Sequence, residues 1–162
     1  MIVYSAADID SFAPVQSLNK AIEIDTTYYV VYVNKCSLYC SMKDYKNALT
    51  QIQKEITVKP DLAEAWTFGG ILSDKLGDTA TAMAYYKRSV ELFDERITDP
   101  SKHEFLDANQ RNRAVSLILM GQDEQGRNEL KRQKEVHPDD KSLDDLIKLD
   151  KRKYLNEIFD DQ

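Results

Sequence analysis

The sequence predicts an all-α chain of about three helix pairs followed by a C-terminal capping helix. Three observations lead there. Glycine and proline are scarce, 5 and 4 in 162 residues, which suits helices joined by short loops. Apolar residues fall at helical intervals, as Val15, Leu18, Ala21 and Ile22 do near the start and Leu143, Leu146, Ile147, Tyr154, Leu155 and Ile158 near the end. Two turns of similar make, Leu76-Gly77-Asp78 and Met120-Gly121-Gln122, each separate two such segments.

Composition narrows the class further. A chain of 162 residues fits one domain. With 42% hydrophobic and 31% charged residues it is globular and soluble rather than disordered. It has no apolar run near the roughly eighteen residues of a membrane span. The net charge of −6 and the interspersion of Lys and Arg with acids argue against nucleic acid, whose phosphates need clustered cations.

Taken in order, Pro14 to Asp25 reads as a helix with proline in its first turn. Thr26-Thr27 can cap the next, Tyr28 to Met42. Its run YYVVYV has strand propensity taken alone, and only the longer-range register makes it a helix. Lys43-Asp44 turns the chain into Tyr45 to Val58, which Lys59-Pro60-Asp61 ends. Leu62 to Lys75 and Thr79 to about Ile97 form the second pair. After an insertion containing Pro100, Ser101 is a plausible cap for a long helix, Lys102 to Leu119. Asp123 to Val136 is its partner. Lys141 to Phe159 closes the chain as one helix, with Ser142 and Asp145 at capping-box spacing.

The register comes from Ala63 to Arg96, which resembles the tetratricopeptide repeat, a 34-residue helix-turn-helix. Trp66, Gly70, Ala82 and Tyr86 occupy its fourth, eighth, twentieth and twenty-fourth positions. One period earlier, Tyr32, Tyr39, Ala48 and Pro60 match in a window opening at Tyr29. A third window, from Asp107, places Ala114, Gly126, Leu130 and Pro138. It opens 44 residues after Ala63 (107 − 63), so about ten extra residues intervene. The resemblance divides one domain, 1–162, into a partial N-terminal repeat at 1–28, repeats at 29–62, 63–96 and 107–140, an insertion at 97–106, and a capping helix and tail at 141–162. It implies a right-handed α-α superhelix. The truncated first repeat suggests a piece of a longer protein. No leader is visible at Met1-Ile2-Val3-Tyr4; the compartment stays open, with the cytoplasm favoured and an export signal on a longer parent not excluded.

No catalytic constellation emerges, and the chain reads as no enzyme. Gly69-Gly70 lies inside a helix and serves close packing. Cys36 and Cys40, four apart, have Cβ atoms about 5–6 Å apart on a helix, too far for a disulfide. They read as small buried residues. The acids Asp139, Asp140, Asp144 and Asp145 suit a helix start and lack calcium-loop spacing. No cofactor or metal is expected.

What the resemblance implies instead is a concave face built from the first helix of each pair. Its floor falls on Val33, Ser37, Phe68, Ile71, Arg111, Asn112, Val115 and Ile118. Phe68 and Ile71 stand at the centre, and Arg111 and Asn112 orient a partner's backbone. Cochaperones of this family grip a chaperone's C-terminal carboxylate with Lys and Asn here. This chain has Val33, Ser37 and Phe68 at three of those places and lacks the cations. The expected function is a module binding another protein's helix or peptide. The alternative is a structural spacer in a longer repeat protein, its face covered by the missing repeat, by the terminal helix or by a second copy in a homo-oligomer.

Overall fold

The computed structural model describes residues 13–159, and no strand occurs among them. The described residues up to Pro60 form one compact unit and those from Asp61 onward a second.

The first unit holds α1 (Ala13–Ile24), α2 (Val30–Ser41) and α3 (Tyr45–Val58). The β-prone run is helical from Val30 on, because the helix buries Val31, Tyr32, Cys36 and Tyr39 while α3 buries Ala48, Ile52 and Ile56. Packing of one apolar stripe overrides local propensity. Thr27 does not cap α2 as its sequence position suggested. Its backbone N–H and hydroxyl both donate to the Asp25 carboxylate, at 2.8 and 2.6 Å, in a turn that delays the helix to Val30. Cys36 and Cys40 are free thiols, the first buried and the second half-buried.

The second unit holds α4 (Ala63–Lys75), α5 (Thr79–Thr98), α6 (Leu106–Leu119), α7 (Asp123–Val136), α8 (Lys141–Ile147) and α9 (Lys151–Phe159). Successive helices from α4 to α8 pack on one another. The turns that fold each pair share one device, a residue with left-handed backbone: Lys43 at φ 60°, Gly77 at 83° and Gly121 at 89°. Lys43 and Gly77 lie one 34-residue period apart. The next residue caps the second helix where it is an aspartate. Asp44 accepts from the Asn47 N–H at 3.1 Å and Asp78 from the Thr81 N–H at 3.0 Å.

Close approach within each pair follows the small residues. A Cβ built on Gly70 would lie 2.5 Å from Tyr86 Cε1, and one on Gly126 would lie 2.5 Å from the Ala114 carbonyl oxygen. Ala48 and Ala82 are wholly buried. Trp66 packs on a core of Ala63, Leu92 and Phe93, its ring edge-on to Tyr85 at 5.3 Å. Thr67, Ser89 and Ser116 tie α4, α5 and α6 through their hydroxyls, at 2.6, 3.0 and 3.2 Å.

Two boundaries depart from the sequence reading. Ser101 is not a helix cap. Asp99 is, accepting from the Ser101 N–H and hydroxyl, and it starts a 3-10 turn, Pro100–Phe105. So α6 begins only at Leu106, and α5, with 20 residues, is the long helix. The terminal segment is two helices rather than one. Leu149 drops into the core of Ala114, Ile118, Leu130 and Leu143, and Arg127 donates to its carbonyl at 3.0 Å. Asp150 then starts α9 by accepting from the Lys153 N–H at 2.9 Å. The capping-box reading shifts as well, since Asp140 caps α8 through the Ser142 N–H and hydroxyl.

Candidate partner-binding face

Helix α4 is lined with glycine on its packed side, so Tyr86 of α5 can lie against Gly70. The other side of α4 meets α6 across a cavity of about 210 Å³. Phe68, Ile71, Asn112 and Val115 line it, with Glu64, Thr67 and Phe93 around them. Phe68 and Val115 are half-buried and Asn112 is exposed, while Ile71 keeps only 4% of its surface. Four of the eight expected residues are therefore brought together.

Two of the others need correction. Ile118 is 0% exposed, because Leu143 and Leu149 pack on its side of α6. Helix α8 covers that end of the face. Arg111 is already engaged: it donates to Asp140 at 2.7 Å and to the Ser142 hydroxyl at 3.3 Å, tying α6 to the start of α8. Asp140 is held below the usual carboxylate range, first by the Ser142 hydroxyl and also by Arg111. Val33 and Ser37 are exposed on α2, in the first unit.

Helix α9 supplies the residues that register alone misses. Tyr154 lines the same cavity as Phe68, Ile71 and Val115, and burial pushes its phenol up. One turn earlier, the Lys151 ammonium stands 2.7 Å from Asp74 and 5.0 Å from the centre of the Tyr86 ring. The Asp74 carboxylate is only 7% exposed and also accepts from the Tyr86 hydroxyl at 2.8 Å. The Tyr86 phenol is pushed up by burial first, and then by Asp74. At the far end, Phe159 is buried, with the Lys75 ammonium 5.2 Å from its ring centre. The signal for α9 lies in the spacing of Lys151 and Tyr154, three apart and so on one helix face.

A second concavity, about 370 Å³, opens between α5, α6 and α7. Several of its charged residues pair with one another. Arg113 bridges Asp94 and Glu129, each at 2.5 Å, and His137 meets Asp107 at 2.9 Å. Among the described residues no group of three or more His, Cys, Asp or Glu is gathered for a metal ion. None of the helices there is long and apolar enough to cross a membrane.

No family model matches the chain. It is similar to parts of three curated relatives. It is 33% identical over 72 residues to the heat shock protein sti1 homolog of Schizosaccharomyces pombe, covering 44% of this chain and 12% of that one. To heat shock protein STI1 of Saccharomyces cerevisiae it is 29% identical over 90 residues, 55% of this chain and 15% of the relative. To the Hsp70-Hsp90 organizing protein of Triticum aestivum it is 32% identical over 72 residues, 44% and 12% respectively. The matched region thus spans less than a sixth of each of these relatives.

Proposed function

We propose that the chain is a non-enzymatic interaction module of tetratricopeptide-repeat type, which holds another protein's helix or peptide on the face of α4 and α6. The observation that carries the reading is the cavity of Phe68, Ile71 and Val115 beside the exposed amide of Asn112. Apolar side chains converging on a rigid helical surface, with a polar group at the edge, are a common way to recognise a partner helix. Similarity to a protein named as an organiser of Hsp70 and Hsp90 supports an adaptor role and makes chaperones a natural partner class. The mode of grip differs from a carboxylate clamp, because Val33, Ser37 and Phe68 stand where that clamp needs Lys and Asn. Chaperone-tail peptides with a free C-terminal carboxylate should therefore bind no better than their amidated forms.

A spacer role is the second reading, and the presence of α9 on this face favours it. Phe68→Glu separates the two. A charge placed in the centre of the cavity should reduce capture of a partner by upwards of about thirtyfold, the worth of a buried aromatic anchor. The helical circular-dichroism spectrum should stay unchanged. If capture is unaffected, the face is no binding site and the spacer reading replaces it. If the spectrum collapses, Phe68 belongs to the core.

A further inference from the structure

We infer that α9 is a displaceable occupant of the α4–α6 groove, and that the partner is a helix carrying Lys or Arg followed three residues later by Tyr or Phe. This rests on the binding reading above and deepens it by naming the partner's chemistry.

The chain's own helix reports what the groove accepts. Lys151 puts its ammonium 2.7 Å from the nearly buried Asp74 carboxylate, and Tyr154, one turn on, forms a wall of the cavity that Phe68, Ile71 and Val115 also line. The two contacts differ in kind. The cavity rewards any ring of suitable size, whereas Asp74 demands a cation. Without α9, that carboxylate would keep the Tyr86 hydroxyl and gain water, but covered again by a helix that brings no cation it would be desolvated and unpaired, which is strongly disfavoured. An apolar helix without a basic residue would leave it so, and an acidic helix would be repelled. The groove therefore selects a cation and an aromatic together.

Three features make α9 removable. It has nine residues, short of the roughly 12–15 at which even favourable isolated helices become marginal in water, so its helicity depends on the groove. Its outer face, Arg152, Lys153, Asn156 and Glu157, is exposed. The segment before it is fixed independently: Leu149 is 6% exposed in the α6–α8 core, its carbonyl accepting from Arg127. Opening the chain at Asp150 takes Tyr154 from the edge of that core but leaves Leu149 and its bond to Arg127 in place. A ligand whose competent state is rarely populated binds more weakly by the open fraction, so the tethered helix sets a threshold that only a better-fitting partner passes.

The test uses the full chain and a labelled peptide, Asp-Lys-Arg-Lys-Tyr-Leu-Asn-Glu-Ile-Phe, the sequence of residues 150–159. Fluorescence anisotropy should show the Lys151→Glu/Tyr154→Ala chain binding it more than tenfold tighter than the unaltered chain. Adding Asp74→Asn should reverse that gain. In the unaltered chain, amides of α9 should exchange faster than those of α8, and faster still at saturating peptide. Equal peptide affinity of the two chains overturns the inference. Should the double variant lose its helical spectrum, α9 exchange in the unaltered chain decides: protection equal to that of α8 and insensitive to peptide overturns it. A chain that dimerises with concentration, its dimer dissolved by peptide, makes a second copy the occupant and overturns the assignment to a partner. Displacement of α9 is read without any partner, so its failure is distinct from the Phe68→Glu outcome.

Discussion

Gly70→Ala is the sharpest perturbation of the helix-pair geometry. The added methyl would lie 2.5, 2.7 and 2.9 Å from Cε1, Cδ1 and Cζ of Tyr86, whereas carbon atoms attract best at about 3.5–4.0 Å. Three atoms of one ring are thus about an ångström too close. The ring has little room to retreat. Tyr86 is 0% exposed, its hydroxyl donates to Asp74 at 2.8 Å, and Lys151 stands over its face. Shifting it strains a hydrogen bond to a charged group, worth about 1.5–3 kcal/mol, and overpacking alone typically costs about 1–3 kcal/mol. Against this, alanine is favoured over glycine within a helix by about 0.5–1 kcal/mol. The clash wins, leaving a net loss of about 1–3 kcal/mol. At roughly 2–4 °C per kcal/mol for a chain of this size, Tm should fall by about 2–12 °C in calorimetry. Placed on a Tyr86→Leu background, the same substitution should become neutral or stabilising, because the ring that opposes it is gone. A Gly70→Ala chain as stable as the parent would mean that Tyr86 does not rest on Gly70, and the register of the pair would be wrong.

Two further outcomes follow from the same geometry. Gly126→Ala should destabilise at least as strongly as Gly70→Ala in urea unfolding, since its Cβ would meet the Ala114 carbonyl oxygen at 2.5 Å and backbone cannot rotate aside. Asp78, Asp99 and Asp140 are held below the ordinary carboxylate range, each first by a hydroxyl donor: Thr81, Ser101 and Ser142. The folded state binds their protons less readily than the unfolded chain. Their contribution to stability is therefore fully present above the ordinary Asp pKa and is lost as pH falls through the folded values. Carbon-detected NMR titration should find these three carboxyls, with Asp25 beside the Thr27 hydroxyl, protonating below the ordinary Asp range, and Asp99→Ala should flatten part of the acid limb of the stability curve.

The repeat register made the pairing legible because it rests on sterics visible in residue type: Gly70 against Tyr86, Gly126 against Ala114, and left-handed turns at Gly77 and Gly121. Lys43 shows the limit of that reading. It adopts φ 60° at the same turn with no glycine to announce it, and only its place in the period identifies it. Caps were harder, because an Asp or Thr before a helix satisfies the same signal. Thr27 and Ser101 turn out to donate to Asp25 and Asp99 rather than accept at a helix start.

The candidate face was half legible for a different reason. Register tells which residues leave the packed side of α4 and α6, and that placed Phe68, Ile71, Asn112 and Val115 around one cavity. It cannot tell what the rest of the chain then lays over them. Leu143 and Leu149 are apolar residues in a sequence that reads as one amphipathic helix, yet together they require the chain to break at Leu149 and bury Ile118 beneath α8. That break redirects everything after it. A continuous helix from Lys141 could not place Leu149 in the α6–α8 core and also carry Lys151 to Asp74. The tie of Arg111 to Asp140 and that of Arg127 to Leu149 fix where the bend falls, which leaves α9 free to follow the groove. Of the two polar residues expected at the edge of the face, Arg111 thus holds the cap in place, while Asn112 stays exposed beside the cavity that Tyr154 also lines.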